Sequence, residues 1–276
     1  MPQIINTNIL SMTAQANLNN TQNSLATAVQ RLSSGLRINS AMDDPAGLAI
    51  STRMGSQVSG MQVAVRNAND AISLSQVADG TLGTVGGMLQ QMRDLAVQAS
   101  NQTNGSSDLV NLNTEFTSLA SEINRELTTT TFNGLNILGS NAGTGVYQVG
   151  ANAGETISVT TTNMATNASI TAVTTTVATI LTNSSASSMI STIDTALSAV
   201  NTERAKYGAT EAEFQGVVSN LQTGITNQSA AQSRIRDADY ATETSSLTRA
   251  QILQQAGTAM LAQANALPQS VLNLLK

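Results

Sequence analysis

LQQAGTAMLAQANALPQSVLNL, residues 253–274, carries the pattern on which the fold turns. Leu253, Met260, Ala264, Leu267, Val271 and Leu274 recur at steps of seven, four, three, four and three. That spacing averages about 3.5 residues, the repeat that keeps an apolar stripe against a partner helix in a coiled coil. The polar residues between them, among them Gln254, Gln255, Gln263 and Asn273, are uncharged. Such a helix alone in water is marginal, because helical stability comes mostly from packing the apolar face. Pro268 is expected to kink or restart it. No residue beyond Lys276 covers the stripe, so its partner is expected elsewhere in the chain, in other copies of it, or in both.

The first forty residues mirror the last forty. Leu18, Leu25 and Leu32 recur every seven, with Val29 and Leu36 at the alternate positions and Gln15 and Gln22 interrupting the stripe. Two terminal stripes of similar period can close on each other within one chain or be shared among many chains, and periodicity alone does not choose. SAMDDPAGLAIS (40–51) then marks a break. Asp44 can accept the unpaired amide hydrogens of a new helix, Pro45 suits its first position, and Asp43 favours its positive end. This acidic pair therefore reads as a helix start rather than a catalytic dyad.

From Pro45 a helical stripe runs through Ile50, Met54, Val58, Met61, Val65, Ala68 and Ile72. Its phase shifts near Leu74–Ala78, and it resumes through Val85, Met88, Met92, Leu95 and Ala99, as though a residue insertion interrupted the repeat. One helix over this range would span on the order of 80 Å. NQTNGSSD (101–108) is a polar turn in which Asp108 or Ser107 can cap a second helix carrying Leu112, Phe116, Leu119 and Ile123. The threonine run 128–131 ends it. The period then changes: Asn133-Gly134 is a hairpin signal, and Leu135–Leu138, Val146–Val149 and Thr156–Val159 read as strands. Residues 161–188, mostly Thr, Ser, Ala and Asn, read as a surface loop or small β-excursion. Helical period returns with Ile190, Ile193, Leu197 and Val200 and continues to Ile225; Arg234, Arg236, Asp237 and Asp239 form a solvated charged joint before the terminal stripe. The fold class expected is mainly α, a long coiled-coil helical rod folded back on itself with a small β-hairpin region at its tip.

Composition narrows the chemistry. Cysteine and histidine are absent, which removes disulfides, thiol nucleophiles, Cys or His metal sites and every His-dependent catalytic arrangement. The net charge of −5 and the scattered arginines offer no footprint for nucleic acid. No run approaches the ~20 apolar residues of a membrane span, and the amino terminus lacks the charged and apolar regions of a secretory signal. A non-enzymatic protein without cofactors, nucleic acid or membrane insertion is expected.

Several ordered motifs carry a resemblance: INTN (5–8), RLSSGLRINSAMDDPAGLAIS (31–51), RNANDAISLSQVADG (66–80), MRDLAVQAS (92–100), FNGLNIL (132–138), QVGANAGETI (148–157) and the run from Ser233 to Leu275. In these the chain resembles bacterial flagellin, in a short form with almost no variable outer domain. The resemblance implies a structural subunit that self-assembles into the helical filament used for swimming. It divides the chain into coiled-coil segments 1–42 and 235–276 of an inner domain, outer helical parts 43–162 (with the β-hairpin) and 188–234, and a short variable segment 163–187. The implied self-assembly interface comprises Leu18, Leu25, Val29, Leu32 and Leu36 with Leu253, Met260, Ala264, Leu267, Val271 and Leu274. Implied partners are other copies, the flagellar export apparatus, a chaperone of the C-terminal helix, and the filament's cap and junction proteins. Export without signal cleavage to an extracellular flagellum is also implied. Gln91, Leu95 and Glu115 fall on the surface that a host Toll-like receptor binds in many flagellins, with Gln91 standing where those carry an arginine. Competing readings are a flagellar junction protein and a chemoreceptor-like signalling rod; the latter would lack the β-signals at 132–159.

Overall fold

The computed structural model describes residues 7–175 and 178–274, with side chains described to Leu267. It is mainly α. In chain order the elements are α1 (Ile9–Ser34), α2 (Pro45–Ala99), α3 (Ser106–Thr129), β1 (Thr131–Phe132), β2 (Leu135–Asn136), β3 (Thr144–Gln148), β4 (Thr156–Thr160), α4 (Ala168–Thr174), α5 (Asn183–Arg236) and α6 (Tyr240–Leu274). Two compact units result, one of residues 1–56 with 227–276, the other of 57–226.

In the larger unit, the side chains of α2 that are buried are Ala64, Ala68, Ala71, Ser75, Ala78, Leu82, Val85, Leu89, Met92, Ala96 and Ala99. Their steps alternate four and three without a break, so the phase shift expected near Leu74–Ala78 is absent. The bulky residues that suggested it (Met61, Val65, Ile72, Leu74, Met88, Leu95) flank the seam at partial burial. Small residues occupy the two ends of the seam, where they let helices approach closely, interaxial distance following the side chains at the contact, and Leu82, Val85, Leu89 and Met92 fill its middle. The one hydroxyl among them is satisfied, Ser75 Oγ donating to the Ala71 carbonyl at 3.0 Å. Helix α5 answers with Ile193, Ala196, Val200, Glu203, Tyr207 and Phe214. Arg204–Asp79 (2.8 Å) and Arg93–Asp194 (2.7 Å) fix the two helices antiparallel.

Helix α3 starts one residue before the capping candidates. Asp108 does not cap from outside; from inside the first turn its Oδ2 accepts the Gly105 N–H at 3.1 Å. Leu109, Phe116, Ala120, Ile123 and Leu127 then line its buried face. Asn133 (φ +50°) and Gly134 (φ +80°) make the two-residue turn between β1 and β2, the left-handed pair that an Asn-Gly hairpin requires. Strands β3 and β4 form a second antiparallel hairpin. Tyr147 of β3 meets Phe214 of α5 edge-on, centroids 5.9 Å apart.

The Thr-rich segment corrects the expectation of a surface loop or β-excursion. It contains α4, and Met164, Ile170, Val173, Ala178 and Ile180 are buried in the same core as Leu82, Phe116 and Val200. Asn167 caps α4 by accepting from Ser169 N at 3.0 Å, and Asn113 Oδ1 accepts from Ile180 N at 2.9 Å. Helix α5 begins at Asn183, within that segment; Asn183 Nδ2 donates to the carbonyls of Ala99 and Asn101.

Candidate self-assembly surface

In the unit formed by the chain termini, α1 and α6 pair antiparallel. Four contacts set the register. Asn8 Nδ2 donates to the Ala264 carbonyl at 2.8 Å, a Cβ on Gly257 would meet Leu18 Cδ1 at 3.3 Å, Arg31 Nη1 reaches Glu243 Oε1 at 2.9 Å, and Tyr240 Oη donates to the Leu32 carbonyl at 3.2 Å. Asn8 also accepts from Ser11 N at 3.1 Å, capping α1, and Gly35 (φ +70°) ends it with the left-handed turn that glycine adopts without strain.

Between α1 and α6, the covered positions again step by threes and fours. On α1 they are Ser11, Ala14, Leu18, Thr21, Leu25, Ala28 and Leu32; on α6 they are Glu243, Leu247, Ala250, Gln254, Gly257, Leu261 and Ala264. Leu18, Leu25, Leu32 and Ala264 of the expected interface thus lie on this seam. Gln15 and Gln22 do not interrupt it, since Ala14 and Thr21 hold the alternate positions. Val29 is 51% exposed, because Ala28 occupies the position expected of it. Leu253, Met260 and Leu267 are 52%, 64% and 49% exposed. Leu253 and Met260 each precede a seam residue by one, a rotation of about 100° around the helix, so they flank the seam. Ile9, Leu10, Met12 and Ile252 are exposed apolar side chains on the same two helices. The side chains of Val271 and Leu274 lie outside the described residues. Helix α6 continues through Pro268 rather than restarting there.

Leu36 is outside α1, in an antiparallel bridge with Asp237. Around it Arg37 N donates to the Arg236 carbonyl at 2.7 Å, Ala238 N to the Gly35 carbonyl at 2.9 Å, and Arg37 Nη2 to the Ile235 carbonyl at 2.6 Å. Ile38 beside them is buried. The charged run 234–239 is therefore backbone-paired as well as solvated, with Arg234, Asp237 and Asp239 exposed. Asp44 Oδ1 accepts from Gly47 N at 2.9 Å and starts α2 as expected. Asp43 Oδ2 accepts from the Ser40 and Asn39 amides and the Ser40 hydroxyl, which holds its carboxyl below the ordinary aspartate range.

In the other unit Gln91 is exposed, Leu95 is half-buried against the core, and Glu115 is exposed on α3. Among the described residues no cluster of acidic side chains could hold a metal ion, and no helix is long and apolar enough to cross a membrane.

Residues 5–144 match the family model described as the bacterial flagellin N-terminal helical region, and residues 190–275 match the C-terminal helical region. The chain belongs to the bacterial flagellin family. A flagellin of Halalkalibacterium halodurans is 46% identical over 273 residues, covering 99% of this chain and all of the relative. A flagellin of Serratia marcescens is 40% identical with both chains fully covered, and the alignment of 352 positions exceeds this chain's 276 residues because the relative carries extra ones. Among solved structures, the crystal structure of Bacillus cereus flagellin is similar at a TM-score of 0.50 and 30% identity, covering 60% of this chain and 94% of that one. This flagellin is a structural subunit that assembles with its own copies into the extracellular flagellar filament, and it is not an enzyme. Relative to the Serratia protein it is a short form.

Proposed function

We propose that this flagellin polymerises through its terminal helices, with the α1–α6 seam as the scaffold and the apolar residues beside it as the contacts to neighbouring subunits. Leu18, Leu25, Leu32 and Ala264 build the pair, while Val29, Leu253 and Met260, with Leu267, Val271 and Leu274 further along α6, meet other copies; Leu36 holds the pair's base. Segments 1–42 and 235–276 form the inner layer of the filament, 43–162 and 188–234 the outer, and 163–187 the short outermost part. The observation that carries this reading is the second apolar edge of α6, left uncovered beside a seam already filled by α1. Exposed apolar side chains repeating along a helix suit a partner helix, and a contact between unlike surfaces of identical subunits propagates into a helical polymer.

The same edge is what a chaperone of the C-terminal helix would cover before export. The chain travels unfolded through the flagellar export apparatus without signal cleavage and meets the junction and cap proteins as the filament grows. Gln91, Leu95 and Glu115 form the surface offered to a host Toll-like receptor.

Met260→Asp tests the polymerisation surface. At 64% exposure the aspartate costs the monomer little, whereas in a packed interface an unpaired carboxylate costs several kcal/mol in every subunit. Circular dichroism of the monomer should be unchanged and electron microscopy should find no filaments. Filaments of normal length and number would remove this edge of α6 from the interface.

A further inference from the structure

The chain has two Asn-Gly pairs, Asn104-Gly105 and Asn133-Gly134. Asparagine before glycine is the chemically labile case, because the absent side chain of glycine leaves its backbone nitrogen open to approach the neighbouring amide carbon. The two pairs are held differently. At the first, the nucleophile is occupied: the Gly105 N–H donates to Asp108 Oδ2 at 3.1 Å, and Asn104 Nδ2 donates to the Gln98 carbonyl at 2.5 Å. At the second, Asn133 and Gly134 are exposed at the tip of the β1–β2 hairpin. Neither the Gly134 N–H nor the Asn133 side chain has a hydrogen-bond partner among the described residues, and a Cβ on Gly134 would meet nothing within 4 Å.

We propose that Asn133 is a self-modification site, converting in the folded protein to aspartate and isoaspartate, while Asn104 is kept inert by the cap on its neighbour's nitrogen. The Gly134 nitrogen, losing its proton to solvent, bonds to Asn133 Cγ. The Cγ–Nδ2 bond breaks and Nδ2 leaves as ammonia, giving a succinimide. Water then opens the ring at one of two carbonyls. Cleavage of the Cγ–N bond yields an aspartate in the normal backbone; cleavage at the backbone carbonyl carbon yields isoaspartate, with the chain routed through the former side chain. In sum, one asparagine and one water give one acid and one ammonia. The product adds a negative charge to an exposed turn, and the isoaspartate form lengthens a two-residue loop by one backbone atom.

The test is incubation of the full-length folded protein at mildly alkaline pH. Peptide mapping with fragmentation that separates aspartate from isoaspartate, and methyl transfer by an isoaspartate-specific methyltransferase, follow both sites over time. Conversion at Asn104 should be slower by at least about tenfold, the factor that a hydrogen bond to a charged acceptor such as Asp108 supplies. In the denatured chain the two rates should converge. Asp108→Ala, with α3 intact by circular dichroism, should raise conversion at Asn104 and leave Asn133 unchanged. Equal native rates at the two sites, or no gain at Asn104 in the variant, overturns the proposed protection. A native rate at Asn133 far below that of the denatured chain would show that the turn holds the nitrogen away from Cγ, and overturns the site itself.

Discussion

Arg31 Nη1 lies 2.9 Å from Glu243 Oε1, and these are the charged side chains that join α1 to α6, with Glu243 only 12% exposed in its side chain. Lost from a partly buried setting, such a pair leaves its survivor unsatisfied, a penalty larger than the pair's own worth. Arg31 Nε is already buried without a hydrogen-bond partner, and only the more distant Asp43 carboxylate also acts on its charge.

Glu243→Ala should therefore loosen the terminal pair by about 1–3 kcal/mol. Hydrogen exchange should quicken through α1 and α6 and stay unchanged in α3. Filaments of the variant should dissociate at lower temperature. Unchanged exchange in both terminal helices would mean that the seam alone holds the pair.

The seam of α2 makes a sharper prediction about size. Ala71 is fully buried and its neighbour Ile72 only partly so. Ala71→Leu should destabilise the larger unit by about 1–3 kcal/mol through overpacking, while Ile72→Leu should cost less than about 1.5. Thermal melts of the two variants side by side decide it, and similar melting points would contradict the seam's register.

Tyr207 should limit stability in alkali. Burial, with the nearby Glu203 charge adding, pushes its phenol up to about 12 from 10.0. The folded state thus keeps the proton that the unfolded state releases. Stability is constant below the unfolded value, falls as pH rises from it, and levels off beyond the folded one. Tyr207→Phe should flatten that decline, measured by denaturant titrations across the range. It should cost little at neutral pH, since the buried hydroxyl has no well-formed hydrogen bond. An identical alkaline decline in the variant would assign it to other groups.

Receptor recognition offers a gain-of-function test. Gln91 is exposed on α2, but its amide cannot supply the charged fork of a guanidinium. Monomeric protein should activate receptor-bearing cells weakly, and Gln91→Arg should strengthen activation by on the order of thirtyfold, the equivalent of ~2 kcal/mol at an interface centre. Filament assembly should be unaffected. Full potency before the substitution and none gained after it would indicate that Leu95 and Glu115 suffice.

The long helices, the Asn-Gly hairpin and the start of α2 at Pro45 were legible because each rests on local chemistry: period, turn residues and a capping carboxylate. The facing of the helices was not. Leucine, methionine and valine positions mark a stripe, yet about half of each seam falls on small residues such as Ala14, Ala28, Ala250, Gly257 and the alanines of α2. An alanine-rich seam leaves almost no hydrophobic signal of its own, and its bulky flanks rotate the apparent stripe by one residue. That rotation put Leu253 and Met260 on the seam in the sequence reading and at its edge in the fold. Ile170, Val173 and Ile180 were overlooked for a different reason: they are scattered among threonines, and only the core of α2, α3 and α5 gives them somewhere to go. The partner surfaces for other molecules had no such local marker beyond family resemblance.

The bridge between Leu36 and Asp237 bears on how the terminal helices find each other. Its strands come from opposite ends of the chain, Arg37 and Ile235 being 198 residues apart. The entropy of closing a loop grows only slowly with its length, but once this joint has formed it need not be met again. Helices α1 and α6 then leave one node only a few residues from their first contact, Tyr240 with Leu32. Each sees the other at the high effective concentration of a short tether rather than at that of two distant chain ends. The seam can zip from such a node, and it can unzip toward its far end without the node coming undone.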